Sequence, residues 1–433
     1  MHLMKRFIDS AKQRIITGKI LESIGKRWTL LLIVSLVLCQ SAKGGLGIFI
    51  QLYLKKLGVQ PLIISLTTSV SSLGVLLGSV FWGMLSDYRA KKHMMFVILA
   101  AAAAAIGVLA LLPPASGVLI STFVRSFMFA GLAPITMAII SGASTVETRG
   151  RKLSYIASSQ SLGWMLGSIL VGCLLDGFGF KWTALTLASL PILSLTVLFC
   201  LPQKHFITHT PAKRSSYFNL LLTGGLGRFY SAHFLRQAGI TGMFSLIFAY
   251  MASLGIPVGS IGMANAVCGS AQVAGLLIFG HLADRLGRKI IFLIGFGLSV
   301  LAPLLFVLTK NVWEVTAAFF VLGMAFGASY IGSTAHIGDR VPLGYQGTML
   351  GLFESTRGLG GIVGPIAAGA IVSVTGFRGM FITMAGITAL GLILASVRGD
   401  KAELSLVGGE ATPLERLRNR YVWQRDKDVN DEE

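Results

Sequence analysis

The chain carries, between two long apolar stretches, the charged segment Gly280-His281-Leu282-Ala283-Asp284-Arg285-Leu286-Gly287-Arg288-Lys289. A partial copy, Gly83-Met84-Leu85-Ser86-Asp87-Tyr88-Arg89-Ala90-Lys91-Lys92, lies 197 positions earlier. The same offset relates Leu57-Gly58 to Leu254-Gly255, Gly163 to Gly360, Gly167 to Gly364, and Gly179-Phe180-Lys181 to Gly376-Phe377-Arg378. A chain that repeats itself at half its length consists of two homologous halves, which in a membrane is typical of transporters.

The composition is that of a membrane protein. Of the 433 residues, 54% are hydrophobic and 13% are charged, and the mean hydropathy is +0.74, whereas a soluble domain carries about 25% charged residues. A helix needs about 20 apolar residues to cross a bilayer. Twelve stretches meet this requirement, near 28–54, 62–85, 94–112, 117–141, 152–175, 181–201, 228–254, 259–282, 289–308, 313–335, 345–373 and 378–397.

These spans predict an all-α membrane protein in which twelve transmembrane helices form two pseudo-symmetric six-helix bundles. The bundles are expected at 28–201 and 228–397, joined by a cytoplasmic linker at 202–227. Residues 1–27 are predicted to form either an amphipathic helix on the anionic membrane surface or a loose basic tail. Residues 398–433 are predicted to form a charged cytoplasmic tail.

The basic residues predict the orientation in the membrane. Of 37 Lys and Arg residues, 28 fall in the two termini and in or at the edges of the even-numbered connections, and five fall in or at the edges of the opposite connections. Because cytoplasmic loops are enriched in Lys and Arg, both termini are expected in the cytoplasm, in a plasma membrane or a bacterial inner membrane. The net charge of +19 therefore reflects membrane topology, and no nucleic-acid partner is predicted.

The charged segment resembles a known family signature. Gly280–Lys289 matches every fixed position of Gly-x-Leu-Ala-Asp-Arg-x-Gly-Arg-Lys, the signature loop of the major facilitator superfamily. Nearly the whole chain resembles this family, and in particular its drug:proton antiporter-like or organic-anion-transporting members. The resemblance implies two bundles around a central cavity that rock between inward-open and outward-open states.

A second motif resembles that of drug:proton antiporters. Gly360-x-x-x-Gly364-Pro365 is similar to the Gly-Pro motif that normally marks their fifth span. Here the motif stands in span eleven, and span five has Ser168 in place of the proline. The displacement weakens the inference of export. Gly364 and Pro365 are predicted to take part in gating, and close helix packing is the alternative.

The paired charged loops are predicted to control access to the cytoplasmic side. The resemblance implies that they latch that side in the outward-open state. The alternative is that their positive charge only anchors the topology. The residues assigned to this gating role are Asp87, Arg89, Lys92, Asp284, Arg285 and Arg288.

Four bases lie well inside the predicted spans, away from their ends: Lys43, Arg125, Arg236 and Arg357. An ionisable residue inside a membrane is costly and indicates a functional site. The resemblance places spans one, four and seven around the cavity, so Lys43, Arg125 and Arg236 are expected to converge there. An excess of positive charge predicts an anionic or zwitterionic organic substrate. Structural ion pairing is the alternative, and Glu354 can pair with Arg357 three residues along one helix.

Further polar residues complete the predicted transport path. Tyr53, Gln40 and Gln160 are candidates to line it. Glu354 is the first candidate for proton coupling, because a carboxylate in a low-dielectric site can exchange a proton during transport. His336 is a weaker candidate for the same role.

The motif content argues against an enzyme. The sequence contains no phosphate-binding loop, no His-Glu-x-x-His and no dinucleotide fingerprint, and no cofactor or metal site is predicted. The predicted function is secondary active transport of a small organic solute by a monomer, coupled to protons, with another coupling ion as the alternative. Two alternatives stay open: efflux of lipophilic cationic drugs, and transport or sensing of a phospholipid or lysolipid. The sequence does not distinguish import from export.

Overall fold

Helices account for nearly all of the residues that the structure describes. The computed structural model describes residues 30–86, 91–132, 135–136, 146–199, 226–340 and 346–396. The predictions for the arm at 1–27, the tail at 398–433, most of the linker at 202–227, and the gating residues Asp87 and Arg89 therefore lie outside the described residues.

The helices follow the predicted spans closely. In chain order they are α1 (Leu30–Lys56), α2 (Pro61–Ser86), α3 (Lys91–Gly107), α4 (Ala115–Phe129), α5 (Val146–Phe199), α6 (Leu226–Phe244), α7 (Ile247–Ser253), α8 (Val258–Leu286), α9 (Arg288–Leu308), α10 (Val312–Arg340) and α11 (Gln346–Ser396). Eight of the described helices are long and apolar enough to cross a membrane. Every predicted span contains helix, while the count of twelve crossings stays a prediction.

Glycines in left-handed conformation repeat the backbone of one half in the other. α5 bends sharply at Gly179 (φ 72°, ψ −178°) and α11 at Gly376 (φ 72°, ψ −177°), so each consists of two arms. The turns after α1 and α7 likewise contain Gly58 (φ 70°) and Gly255 (φ 74°). Both pairs are separated by the 197-residue offset. Because only glycine adopts this conformation readily, the repeat extends from the sequence to the backbone.

Packing inside the two halves is repeated at the same offset. In the N-terminal half, a Cβ added to Gly163 would lie 2.6 Å from Gln40 Cβ and 2.7 Å from Val37 O. In the C-terminal half, a Cβ added to the matching Gly360 would lie 2.9 Å from Gln237 Cβ and 2.9 Å from Phe234 O. Gly167 and Gly364 lie equally close to the backbones of Ser41 and Ala238. Helices in lipid associate where small residues let backbones approach.

The interface between the halves obeys the same symmetry. α5 packs on α8, and α2 packs on α11. Gly172 of α5 lies against Gly259 and Gly262 of α8, and the matching Gly369 of α11 lies against Leu62 and Ser65 of α2. Every residue in one contact has its counterpart in the other at the 197-residue offset. A pseudo-twofold relation therefore joins the two bundles.

The interface opens progressively along α11. A Cβ added to Gly369 would lie 2.8 Å from Leu62 Cα, one on Gly358 would lie 3.4 Å from Leu76, and one on Gly351 would meet no described atom within 4 Å. These glycines are spaced by eleven and seven residues and so share one helix face. The bundles meet at the end that the charge distribution predicts to be outer, and they diverge toward the predicted cytoplasmic end.

Replacement of Gly364 by alanine is expected to destabilise the C-terminal bundle. The added Cβ would overlap the backbone carbonyl of Ala238, and overpacking of this kind costs about 1–3 kcal/mol. The matched control is Gly297→Ala in α9, where an added Cβ meets no described atom within 4 Å. Thermal unfolding in detergent should show a lower melting temperature for G364A only. Equal melting temperatures for both variants would contradict the packing argument.

Candidate functional site

A cavity of about 110 Å³ lies where the two halves meet. Its walls come from α1, α2, α4 and α5 of the N-terminal half and from Phe244 of α6 in the C-terminal half. The polar lining residues are Lys43, Gln51, Thr67, Thr68, Ser71 and Arg125. The apolar lining residues are Leu46, Ile50, Trp164 and Phe244, beside Gly47.

One face of α1 supplies much of the lining. Lys43, Leu46, Gly47, Ile50 and Gln51 follow at intervals of three and four residues, which places them on a single helix stripe. The stripe carries a cation at one end and a carboxamide at the other, with apolar surface between them.

Trp164 and Phe244 form an aromatic contact between the halves at this cavity. Their ring centroids are 6.2 Å apart, with planes inclined by 50°. The two rings belong to different bundles, and both line the cavity. A solute bound here therefore touches both halves of the molecule at once.

Lys43 and Arg125 converge on the cavity, as the sequence predicts. The two side chains lie within electrostatic range of each other, and both line the cavity. Arg125 is 6% exposed, and its Nε has no hydrogen-bond partner among the described residues. Among the residues that the structure describes, no acidic residue belongs to the lining of this cavity. Because a buried cation without a counter-ion is costly, the site is suited to an anion.

Glu354 and Arg357 form the ion pair that their spacing predicts. Arg357 Nη1 donates to both carboxylate oxygens at 3.0 Å, and the Arg357 guanidinium also lies over the Phe353 ring. The side chains are 56% and 33% exposed, respectively, so this acid is less buried than a mid-span position suggests. Both groups lie within electrostatic range of Lys43. They extend the charged site from α1 and α4 to α11.

The structure does not bring Arg236 to this cavity. Its Nε donates to Ser299 Oγ at 2.8 Å, and its Nη2 donates to Ala325 O at 3.4 Å. The guanidinium also lies over the rings of Phe296 and Phe326. These partners belong to α9 and α10, so Arg236 points into the C-terminal bundle. The expected convergence with Lys43 and Arg125 is wrong because the side chain faces its own half.

The other predicted path residues do not line this cavity. The Tyr53 hydroxyl donates to Pro113 O at 2.9 Å, and the ring packs against Phe49 and Phe180, which gives Tyr53 a structural setting inside the N-terminal bundle. Gln40 and Gln160 lie about one helical turn from Lys43 and Trp164, on the predicted cytoplasmic side. The side chain of His336 lies outside the described part of the structure.

The predicted gating residues are only partly described. Lys92 Nζ donates to Phe199 O at 3.4 Å, and Arg285 and Arg288 are exposed. The side chain of Asp284 lies outside the described part. The cytoplasmic latch therefore stays a prediction. Gly364 is packed tightly, and α11 continues through Pro365 without a break, which agrees with the packing role of this motif.

Three functional candidates were not found from the sequence: Gln51, Trp164 and Phe244. Gln51 is a polar residue deep in an apolar span, eight residues after Lys43, and that spacing is a usable signal. The two aromatic residues gave no signal, because an aromatic residue in a membrane span is common whatever it faces.

Replacement of Arg236 and of Lys43 by alanine is expected to distinguish a base with a structural role from a base with a binding role. Arg236→Ala removes two hydrogen bonds and leaves a void between aromatic rings, so it should lower the melting temperature of the ligand-free protein. Lys43→Ala should leave that temperature unchanged or raise it, because it relieves repulsion from Arg125. Thermal unfolding in detergent at neutral pH measures both. Equal destabilisation by the two variants would contradict the placement of Arg236.

Comparison with known proteins identifies the family. The Major Facilitator Superfamily model matches residues 31–251 and 229–424. The uncharacterized MFS-type transporter YuxJ of Bacillus subtilis (strain 168) is 28% identical over 365 residues, which cover 76% of this chain and 88% of that protein. The multidrug resistance protein MdtG of Proteus mirabilis is 25% identical, with 80% and 89% covered. The efflux pump PmrA of Streptococcus pneumoniae is 22% identical, with 77% and 86% covered.

Solved structures share the fold. The nucleoside transporter NupG aligns with a TM-score of 0.70 at 15% identity, covering 87% of this chain and 100% of that one. A bacterial homologue of the human lysosomal transporter Spinster, in an inward-facing and unoccupied conformation, aligns with a TM-score of 0.70 at 12% identity, covering 86% and 96%. With its two pseudo-symmetric bundles and the match along nearly its whole length, the chain belongs to the major facilitator superfamily and is a multi-pass membrane transporter, not an enzyme.

Proposed function

We propose that this protein is a secondary active transporter that moves a small organic anion or zwitterion across the membrane by alternating access. The observation that carries the proposal is the pair of cations, Lys43 and Arg125, in one cavity whose described lining residues include no acid. Two like charges at a buried site repel each other, and the repulsion is relieved when a negative group lies between them. A carboxylate or phosphate also supplies the acceptor that Arg125 Nε lacks among the described residues.

The shape of the cavity favours a small amphipathic solute. The charged groups face an apolar wall that includes Leu46, Ile50 and Trp164. The volume of about 110 Å³ is below the roughly 300–1,000 Å³ of sites for drug-sized ligands. It is comparable to cavities of about 150 Å³ that hold a single benzene ring. A small aromatic carboxylate, such as benzoate, is therefore a suitable probe.

Efflux of lipophilic cations is the second candidate, because the relatives MdtG and PmrA are named for multidrug resistance. The electrostatics of the cavity argue against it: a cation would enter a site that already contains two positive charges. A phospholipid or lysolipid carries the required negative group, but its acyl chain needs more room than this cavity offers.

Proton coupling is proposed to act through Glu354. The ionised carboxylate holds Arg357 in a pair and partly neutralises the cations nearby. A proton on Glu354 removes that negative charge, so the site becomes more positive by one unit and attracts an anion more strongly. Binding of the proton and binding of the anion then favour each other, and the coupling is reciprocal. This sign corresponds to movement of proton and anion in the same direction.

The substrate class can be tested by ligand-induced thermal stabilisation. Benzoate should raise the melting temperature of the wild-type protein, whereas tetraphenylphosphonium should not. Lys43→Gln and Arg125→Gln should each weaken benzoate binding by about 10–100-fold, since a charge-assisted hydrogen bond contributes about 1.5–3 kcal/mol. The matched control is Lys181→Gln, at an exposed position beyond the cavity. Stabilisation by the cation alone would replace the anion proposal with the drug-efflux candidate.

The coupling can be tested in proteoliposomes. An inward-directed proton gradient should drive accumulation of radiolabelled benzoate by the wild-type protein. Glu354→Gln should abolish accumulation above the outside concentration and retain exchange of internal for external benzoate, because the neutral amide imitates the protonated state. Equal gradient-driven accumulation by E354Q would exclude Glu354 as the coupling group. Proton-driven expulsion of benzoate would show that the coupling sign is wrong.

A further inference from the structure

A helix break in the C-terminal bundle leaves backbone groups that need partners. α6 ends at Phe244 and α7 begins at Ile247. The residue before α7, Leu246, has no side chain that can cap the helix. The Phe244 carbonyl and the N–H groups of Phe248 and Ala249 thus lie at helix ends without their usual intrahelical partners. Inside a membrane protein such groups cost several kcal/mol unless they are satisfied.

Gln51 of the other half satisfies these groups with one side chain. Its Nε2 donates to Phe244 O at 3.0 Å, and its Oε1 accepts from Phe248 N at 3.0 Å and from Ala249 N at 3.4 Å. Gln51 belongs to α1 and is 4% exposed. A carboxamide carries both donor and acceptor atoms, so it can bind both sides of the break at once.

A second contact from α1 reaches the same segment. One turn further along, Lys55 Nζ donates to Ala249 O at 2.9 Å. Both contacts join the two halves at their closed end, which the charge distribution predicts to be outer. The halves can separate there only if the hydrogen bonds of Gln51 are broken.

The contact has no mirror image in the repeat. At the 197-residue offset, the counterpart of Gln51 is Phe248, one of the residues that it binds. α1 continues as unbroken helix through Gln51, whereas the matching part of the C-terminal half is interrupted after Phe244. The polar side chain and the break that it binds occur in opposite halves, so general packing symmetry does not explain the contact.

We propose that Gln51 is the latch that holds the outer side of this transporter closed. With the latch made, the break between α6 and α7 is satisfied without water. When the halves separate, water enters and takes over the freed backbone groups, the condition under which irregular backbone is tolerated at membrane depth. Because Gln51 also lines the cavity beside Lys43, a solute in the cavity borders directly on the latch.

The latch is tested by the distance across the outer side in ligand-free protein. Nitroxide labels at Lys181→Cys and Arg378→Cys, two exposed repeat-related positions, report the separation by pulsed electron paramagnetic resonance in a background without native cysteines. Gln51→Met keeps the side-chain length and removes every hydrogen bond. The variant should raise the ratio of molecules with the long label distance to molecules with the short one by about tenfold or more. The reason is that it removes two or three hydrogen bonds from the closed state only.

A matched control and a second variant complete the experiment. Gln60→Met makes the same chemical change at an exposed position at the start of α2 and should leave the distances unchanged. If Q51M does not fold, Gln51→Asn serves instead: it keeps the carboxamide but is too short by one methylene, and it should shift the ratio in the same direction. Distances equal to wild type in the folded Gln51 variant would overturn the proposal. No solute is present, so the result is independent of the proposed substrate.

Discussion

Close contact between helix backbones at glycine is the interaction on which this architecture depends. Lipid tails are as apolar as the helix surfaces, so burial of apolar area does not by itself hold helices together in a membrane. Glycines replace that driving force by allowing dense packing, within the bundles at Gly163, Gly167, Gly360 and Gly364, and between them at Gly172 and Gly369. The same contacts occur twice, because the second half of the chain repeats the first. The pseudo-symmetry of the two halves is therefore carried by glycine contacts that recur at the 197-residue offset.

The charged side chains inside the helical spans, by contrast, do not follow the repeat. At the 197-residue offset, Lys43 corresponds to Ile240 and Arg125 to Leu322. The cavity is thus basic on its N-terminal wall, while Arg236 of the C-terminal half is turned inward to Ser299 and two aromatic rings. The two halves share one helical scaffold, but they contribute different polar groups. One half contributes the cations, and the other contributes the pair of Glu354 and Arg357 and the interrupted helix.

The sequence was sufficient for the scaffold and for part of the site. Hydropathy and the repeat predict the helices, and the cost of a charge in lipid marks Lys43 and Arg125 as candidates, both of which line the cavity. Hydropathy does not report the rotation of a helix about its axis, and for that reason it does not show that Arg236 faces its own bundle or that Tyr53 packs against Phe49 and Phe180. Gln51 was missed because its partners are backbone atoms at a helix break. The break falls at Ser245 and Leu246, and neither residue is the proline or glycine that would indicate a helix break in the sequence.

The single-residue joints at Gly179 and Gly376 have a mechanical consequence. In each of α5 and α11, one arm lies at the interface between the bundles and the other continues on the far side of one glycine. Because the residues on either side are helical, the φ and ψ angles of this one glycine set the angle between the two arms. A change in the angle between the arms is therefore absorbed at Gly179 or Gly376, and a side chain at either position would restrict it.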